Sequence, residues 1–266
     1  ISCKDSEDKK EADDLLLRNI INVETLDYSK HDLDDEDEAV GKAYADFSYN
    51  YLQTTYYKRH LNSIGLLIDP YNNEYIRRYS YSYKKAGEHY EGMRLLQLAI
   101  DQETEKGELM SHLGYAAWNY LYFLRDYERA ISIADQNISL YDEDLDANCH
   151  GEPCSLIKGV ALYRQRKYEN AIEAFSAYQD FQEQNGFSEM DNFLLVFYKA
   201  RCLMELGRFD KAINYFSYYT IKNPQAECSY QLANIYLQQN QLRKAKKEIE
   251  LAQNALDNGF VFLEPY

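Results

Sequence analysis

Proline and glycine are scarce in this chain of 266 residues, at 4 and 11. So few turn-makers leave little room for a β-sandwich or barrel and favour helices joined by short corners. Histidine is scarcer than its chemistry would need, with 5 residues scattered along the chain. There is no paired-His metalloprotease motif, no phosphate-cradling Gly-rich loop and no nucleophile elbow. The reading is therefore non-enzymatic, with no cofactor and no metal. No apolar run approaches the roughly 20 residues that span a bilayer. Positive charge is also short, at 29 Lys and Arg against 44 Asp and Glu, for a net charge of −15. That balance offers no basic surface to displace counterions from nucleic acid, and it favours a basic partner instead.

What the chain has in plenty is tyrosine, 27 residues, and repetition. Tyrosine brings apolar area with one polar tip, which suits helix packing or a binding surface. The phrases Asp126-Tyr127-Glu128-Arg129-Ala130-Ile131, Lys167-Tyr168-Glu169-Asn170-Ala171-Ile172 and Arg208-Phe209-Asp210-Lys211-Ala212-Ile213 put Ala and Ile after an aromatic at a spacing of 41 residues. A fourth copy at Gln241–Lys246 places Ala245 33 residues later. Repetition at this period signals stacked helical hairpins, and such a stack grows without a single central core.

These residues resemble the tetratricopeptide repeat. Its small position midway along the first helix falls on Trp118, Gly159, Ala200 and Ala233, and its large position three residues on falls on Leu121, Leu162, Leu203 and Tyr236. The corner falls on Tyr127, Tyr168, Phe209 and Leu242, the second-helix alanine on Ala130, Ala171, Ala212 and Ala245, and the residue four further on is Ala134, Phe175, Phe216 or Ile249. Helices approach closely where one side chain is a methyl, and large residues fill the space beside the contact. Trp118 breaks this rule, so its hairpin is expected to pack more openly. The resemblance implies an all-α, right-handed α-solenoid of helical hairpins, four clear and about two degenerate.

Four segments follow. Residues 1–11 read as a polar tether, 12–110 as N-terminal helices with degenerate hairpins, 111–258 as the repeats and 259–266 as an apolar tail expected to fold back over the last hairpin. Within the second segment, Leu15, Leu16, Ile20, Val23 and Leu26 keep helical spacing, and the six acids within 31–38 read as a solvated loop. Two hairpins are laid at 41–68 and 74–101, with His60 and Met93 where an alanine is wanted.

The cysteines carry separate expectations. The chain opens on Ile1-Ser2-Cys3, which resembles the end of a bacterial lipoprotein signal; the polar stretch after it is similar to tethers in Bacteroidetes-type lipoproteins. Either Cys3 is lipidated, with an upstream leader removed and the protein held in the periplasm or outer membrane, or Cys3 is an ordinary thiol and the protein is cytoplasmic. Cys149, His150 and Cys154 are too few for a structural zinc site, which needs four ligands. A Cys149–Cys154 disulfide and two free thiols both remain open. Cys202 and Cys228 read as small core residues.

The resemblance also implies a concave surface lined by first helices. Carried over, its groove falls on Tyr75, Arg78, Tyr79 and Ser82, then Tyr115, Asn119, Tyr122, Tyr163, Arg164, Phe197, Tyr198, Arg201, Tyr230 and Asn234. Aromatics alternating with Arg and Asn suit a peptide: rings supply area while Arg and Asn meet backbone or carboxylate groups. The expected activity is a non-catalytic protein- or peptide-binding scaffold associated with the envelope. Two alternatives stand beside it, an immunity or inhibitor protein for a basic toxin and a ligand-capturing lipoprotein of a nutrient-uptake system.

Overall fold

The computed structural model describes residues 35–69, 72–106, 112–141, 147–188, 190, 192–221 and 224–262. The expected tether, the helix at 12–27, Cys3 and residues 263–266 lie outside them. The chain divides into two compact units, residues 1–112 and 113–266. Among the described residues there are twelve α-helices and one two-stranded hairpin.

The first unit holds α1 (Asp35–Phe47), α2 (Tyr56–Ile68), α3 (Asn73–Lys85) and α4 (His89–Lys106), each packed on its neighbour. Residues 35–38 are already helical, so the stretch read as a loop runs into the start of α1. The α1–α2 crossing is made by glycines rather than at His60. A Cβ on Gly65 would lie 3.4 Å from the Gly41 carbonyl and 3.6 Å from Ala45. His60 instead stacks on Tyr56 at 5.6 Å. The core gathers Ala45, Leu66, Tyr75, Ile76, Tyr79, Leu95 and Ala99.

The second unit runs α5 (Leu113–Asn119), continued by a π-helical turn at Tyr120–Leu124, then α6 (Tyr127–Leu140), the strands β1 (Asn148–Cys149) and β2 (Glu152–Pro153), α7 (Cys154–Arg164), α8 (Tyr168–Gln184), α9 (Phe193–Glu205), α10 (Phe209–Ile221), α11 (Ala226–Gln238) and α12 (Leu242–Asp257). Successive helices pack in order, and α5 also touches α7, α7 touches α9, and α9 touches α11. The first helices of the hairpins thus share one face.

One corner recurs. A left-handed residue stands two positions before the second helix of every hairpin from α3–α4 onward: Gly87, Arg125, Arg166, Gly207 and Asn240. In four corners an amide reaches back five residues: Glu88 to Tyr83, Lys167 to Leu162, Arg208 to Leu203, and Gln241 to Tyr236. That closes a Schellman stop. At the fifth, the Asp126 amide reaches back six residues to Tyr120, because the π turn carries one extra residue.

The insertion corrects the expected register. Counting from the corner, the large position is Tyr120 rather than Leu121, and the small position is Ala117 rather than Trp118. Ala117 is 0% exposed, as are Ala200 and Ala233, so this hairpin does have its small residue. The same count makes Gly92, not Met93, the counterpart of Ala130, and Ser80 the small residue of α3. A Cβ on Gly92 would meet the Ser80 carbonyl at 2.9 Å, so α3 and α4 cross there. Ala130, Ala171 and Ala212 are all 0% exposed and Ala245 is 2%.

Loop length explains the 41-residue spacings. The β1–β2 hairpin and its flanks fill the first, while the 17-residue α8 and the loop after it fill the second. His150 and Gly151 take positive φ at the hairpin turn, which matches the twist of a two-residue connection. A disulfide joins Cys149 to Cys154, with Cα atoms 5.0 Å apart. Asn137, 1% exposed, donates to the Cys154 sulfur at 3.0 Å and to the Asn148 carbonyl at 3.2 Å. The Asn137-Ile138-Ser139 segment matches a glycosylation triplet, but its Asn137 side chain is locked in packing.

Candidate functional site

The expected groove residues fall in both units, and each group is described by itself. In the first unit Tyr75 and Tyr79 are 7% and 1% exposed, inside the core. The Tyr79 and Tyr83 hydroxyls pair at 3.0 Å, and burial raises the Tyr79 pKa well above that of a free phenol. Ser82 is buried, accepting from Asn62 at 3.3 Å. Arg78 is engaged: Nε donates to Glu74 at 2.8 Å, Nη1 to Asp46 at 3.2 Å, and the guanidinium lies over the Tyr49 ring at 4.7 Å. These residues hold α1, α2 and α3 together, a correction to their placement in a groove. Rings fill the wide spaces between helices that small crossing residues leave at either side.

In the second unit Tyr115, Asn119, Tyr122, Phe197 and Tyr198 are likewise buried, at 0–7% exposure. Asn119 donates to the Tyr115 carbonyl, and the Tyr122 hydroxyl donates to Glu152 of β2 at 2.9 Å. These too serve packing. Trp118, freed from the small position, joins an aromatic cluster with Tyr122 at 5.2 Å and His150 at 4.8 Å.

What remains for contact is a smaller set on α7, α9 and α11. One residue past the small positions of α9 and α11 come Arg201 and Asn234, at matching places on adjacent first helices, whereas their counterpart on α7, Val160, is 0% exposed. Arg201 is partly exposed, and its guanidinium lies near two rings, 4.9 Å from Tyr163 and 5.8 Å from Phe197. Its Nε is buried without a hydrogen-bond partner. On α7 the exposed Arg164 donates to the Tyr198 hydroxyl at 3.3 Å, and Tyr198 meets Tyr163 edge-on at 5.2 Å. Burial pushes the Tyr163 hydroxyl up to about 12 against the pull of Arg201, so this phenol stays neutral at physiological pH. Tyr230 is 52% exposed, and Asn234 is partly exposed.

The arrangement offers fixed cations, rings and an amide, which is recognition chemistry. Reactive groups are differently placed. Burial raises the pKa of the free thiols Cys202, to about 12, and Cys228, so neither is a ready nucleophile. Among the described residues no three His, Cys, Asp or Glu side chains are grouped to hold a metal. No described helix is long and apolar enough to cross a membrane.

Residues 154–186, which are α7, α8 and the corner after them, match the tetratricopeptide repeat family. The hairpins around it keep the same register, so the chain contains a tetratricopeptide repeat within a stack of all-α helical hairpins. Repeats of this family generally act as non-catalytic scaffolds that bind protein partners. No curated protein matches the chain.

Proposed function

We propose that the second unit binds a peptide segment of a partner protein across α7, α9 and α11, with Arg201 as its central anchor. The supporting observation is the buried, unpartnered Nε of Arg201, whose guanidinium lies 4.9 Å from the Tyr163 ring and 5.8 Å from the Phe197 ring. An unmet buried donor is unfavourable by itself and is satisfied by an acceptor brought from outside. A peptide carbonyl or carboxylate fits, and the net charge of −15 attracts basic residues flanking it. Tyr230 and Asn234 extend the contact onto α11.

Selection from a random peptide library on the immobilised chain tests this reading. Enriched peptides should bind Arg201→Ala at least about tenfold more weakly, and Arg201→Lys should not recover them, because a lysine lacks the planar fork. Equal binding to wild type and Arg201→Ala removes Arg201 from the site.

We further infer an envelope location through a lipid on Cys3. The Ile1-Ser2-Cys3 sequence supports it, and so does the Cys149–Cys154 disulfide, since such bonds persist in oxidising compartments. Metabolic labelling with a radioactive fatty acid should mark the product of the full gene and fail with Cys3→Ala; label retained without Cys3 would contradict the anchor.

A further inference from the structure

The last hairpin keeps the apolar positions of the repeat without the burial that goes with them. Ile249 stands four residues after Ala245, the place that Phe175 holds after Ala171 and Phe216 after Ala212. Those rings are 0% and 1% exposed, whereas Ile249 is 44% exposed. On α12, Leu242, Ile249 and Leu256 recur every seven residues and are 64%, 44% and 54% exposed. Seven residues bring a helix back to nearly the same side, so the three form one stripe. Beside it, Tyr230, Ile249, Leu256 and Val261 border a shallow apolar cleft between α11 and α12.

The charges along that stripe have an order. At 100° per residue, Arg243 and Lys246 flank its first half, and Glu250 and Asp257 flank its second half, on the side turned away from α11. Lys246 and Glu250 are 81% and 67% exposed. Basic then acidic along one flank is the order that complements itself when two such helices run antiparallel. Leu242 then meets Leu256 and Ile249 meets its own copy. Lys246 comes within two residues, about 3 Å along the axis, of Glu250 in the second copy, and Arg243 within the same distance of Asp257. An unrelated helix would have no need of this symmetry, while a twofold contact requires it.

We propose that the outer face of α12 is a self-association surface, on which two copies pack antiparallel about a twofold axis at Ile249. Each copy supplies to the other the apolar cover that the matching positions Phe175 and Phe216 find within the chain.

Sedimentation equilibrium of the full chain over a range of concentrations tests it. The mass should climb from 31.3 kDa toward twice that value. Ile249→Asp should weaken the dimer by on the order of a hundredfold, since both copies would then bury a carboxylate. Helical circular dichroism should stay unchanged, because the site is exposed in a single chain. Lys246→Glu should weaken association, and adding Glu250→Lys should restore it, because the reversed order again complements itself. A monomer at every concentration overturns the proposal. So does a dimer indifferent to Ile249→Asp, or one in which the second charge reversal restores nothing.

Discussion

The ring of Phe175 lies against Gly159 so closely that a Cβ on the glycine would sit 2.2 Å from Cε1 of the ring. This contact between α7 and α8 fixes how the two helices of the repeat cross. Gly159→Ala should lower stability by about 1–2 kcal/mol, the overpacking outweighing the gain in helix propensity. Urea unfolding measures the loss. Combining it with Phe175→Leu should give less than the sum of the two single effects, because both act on one space.

Lys84 of α3 is 2% exposed, and its stem lies over Gly92 of α4. Burial first, then Arg77 and Lys85, lower its pKa well below the ordinary 10.5. The folded chain thus disfavours a proton that the unfolded chain keeps up to 10.5. The penalty is absent above 10.5 and grows as pH falls below it, toward the depressed folded value. Lys84→Met should therefore stabilise the first unit at pH 7, and the gain should shrink as pH rises toward 10.5. Unfolding midpoints across that range check the sign.

The Cys149–Cys154 bridge closes a loop with a sequence separation of 5. Loop entropy gives it roughly 2 kcal/mol. A reductant should lower the urea midpoint of the wild type, and the double variant Cys149→Ser, Cys154→Ser should start lower and ignore the reductant. Equal midpoints for all three would show that the packing of Asn137, Asn148 and the β1–β2 turn suffices alone.

The chain after α12 folds back, and it reaches beyond the last hairpin. The Ala226 amide of α11 donates to the Phe260 carbonyl at 2.9 Å, and Phe262 meets Phe193 and Phe197 of α9 at 5.2 and 6.2 Å. Phe262→Ala should be destabilising by about 1–2 kcal/mol, since the ring is only partly buried. Hydrogen exchange at the Ala226 amide should quicken in step.

Much of the hairpin packing is legible in the amino-acid order. Ala130, Ala171, Ala212 and Ala245 mark the second helices, and each sits buried at a crossing, because only a methyl lets two backbones come so close. The groove is far less legible. Tyr79, Tyr115 and Tyr198 look like binding residues in the sequence because tyrosine serves packing and recognition equally well, and only burial separates the two. Arg78 and Arg201 are the same residue type in similar phrases, yet one is held by Asp46 and Glu74 and the other keeps a buried Nε unmet. Glu74 lies one turn away on the same helix, but Asp46 is brought in from α1, which the local phrase does not show.

The sequence by itself determined the helical hairpins, their small crossing residues and the acidity of the surface, because these rest on local spacing and composition. Tertiary structure alone decided the π turn at Tyr120–Leu124 that shifts Trp118 out of the crossing, the tail's reach to α9, and which apolar residues are covered. Cover depends on what packs from outside a helix: the same repeat position is sealed at Phe216 and open at Ile249, although nothing in the two local phrases distinguishes an inner hairpin from a last one.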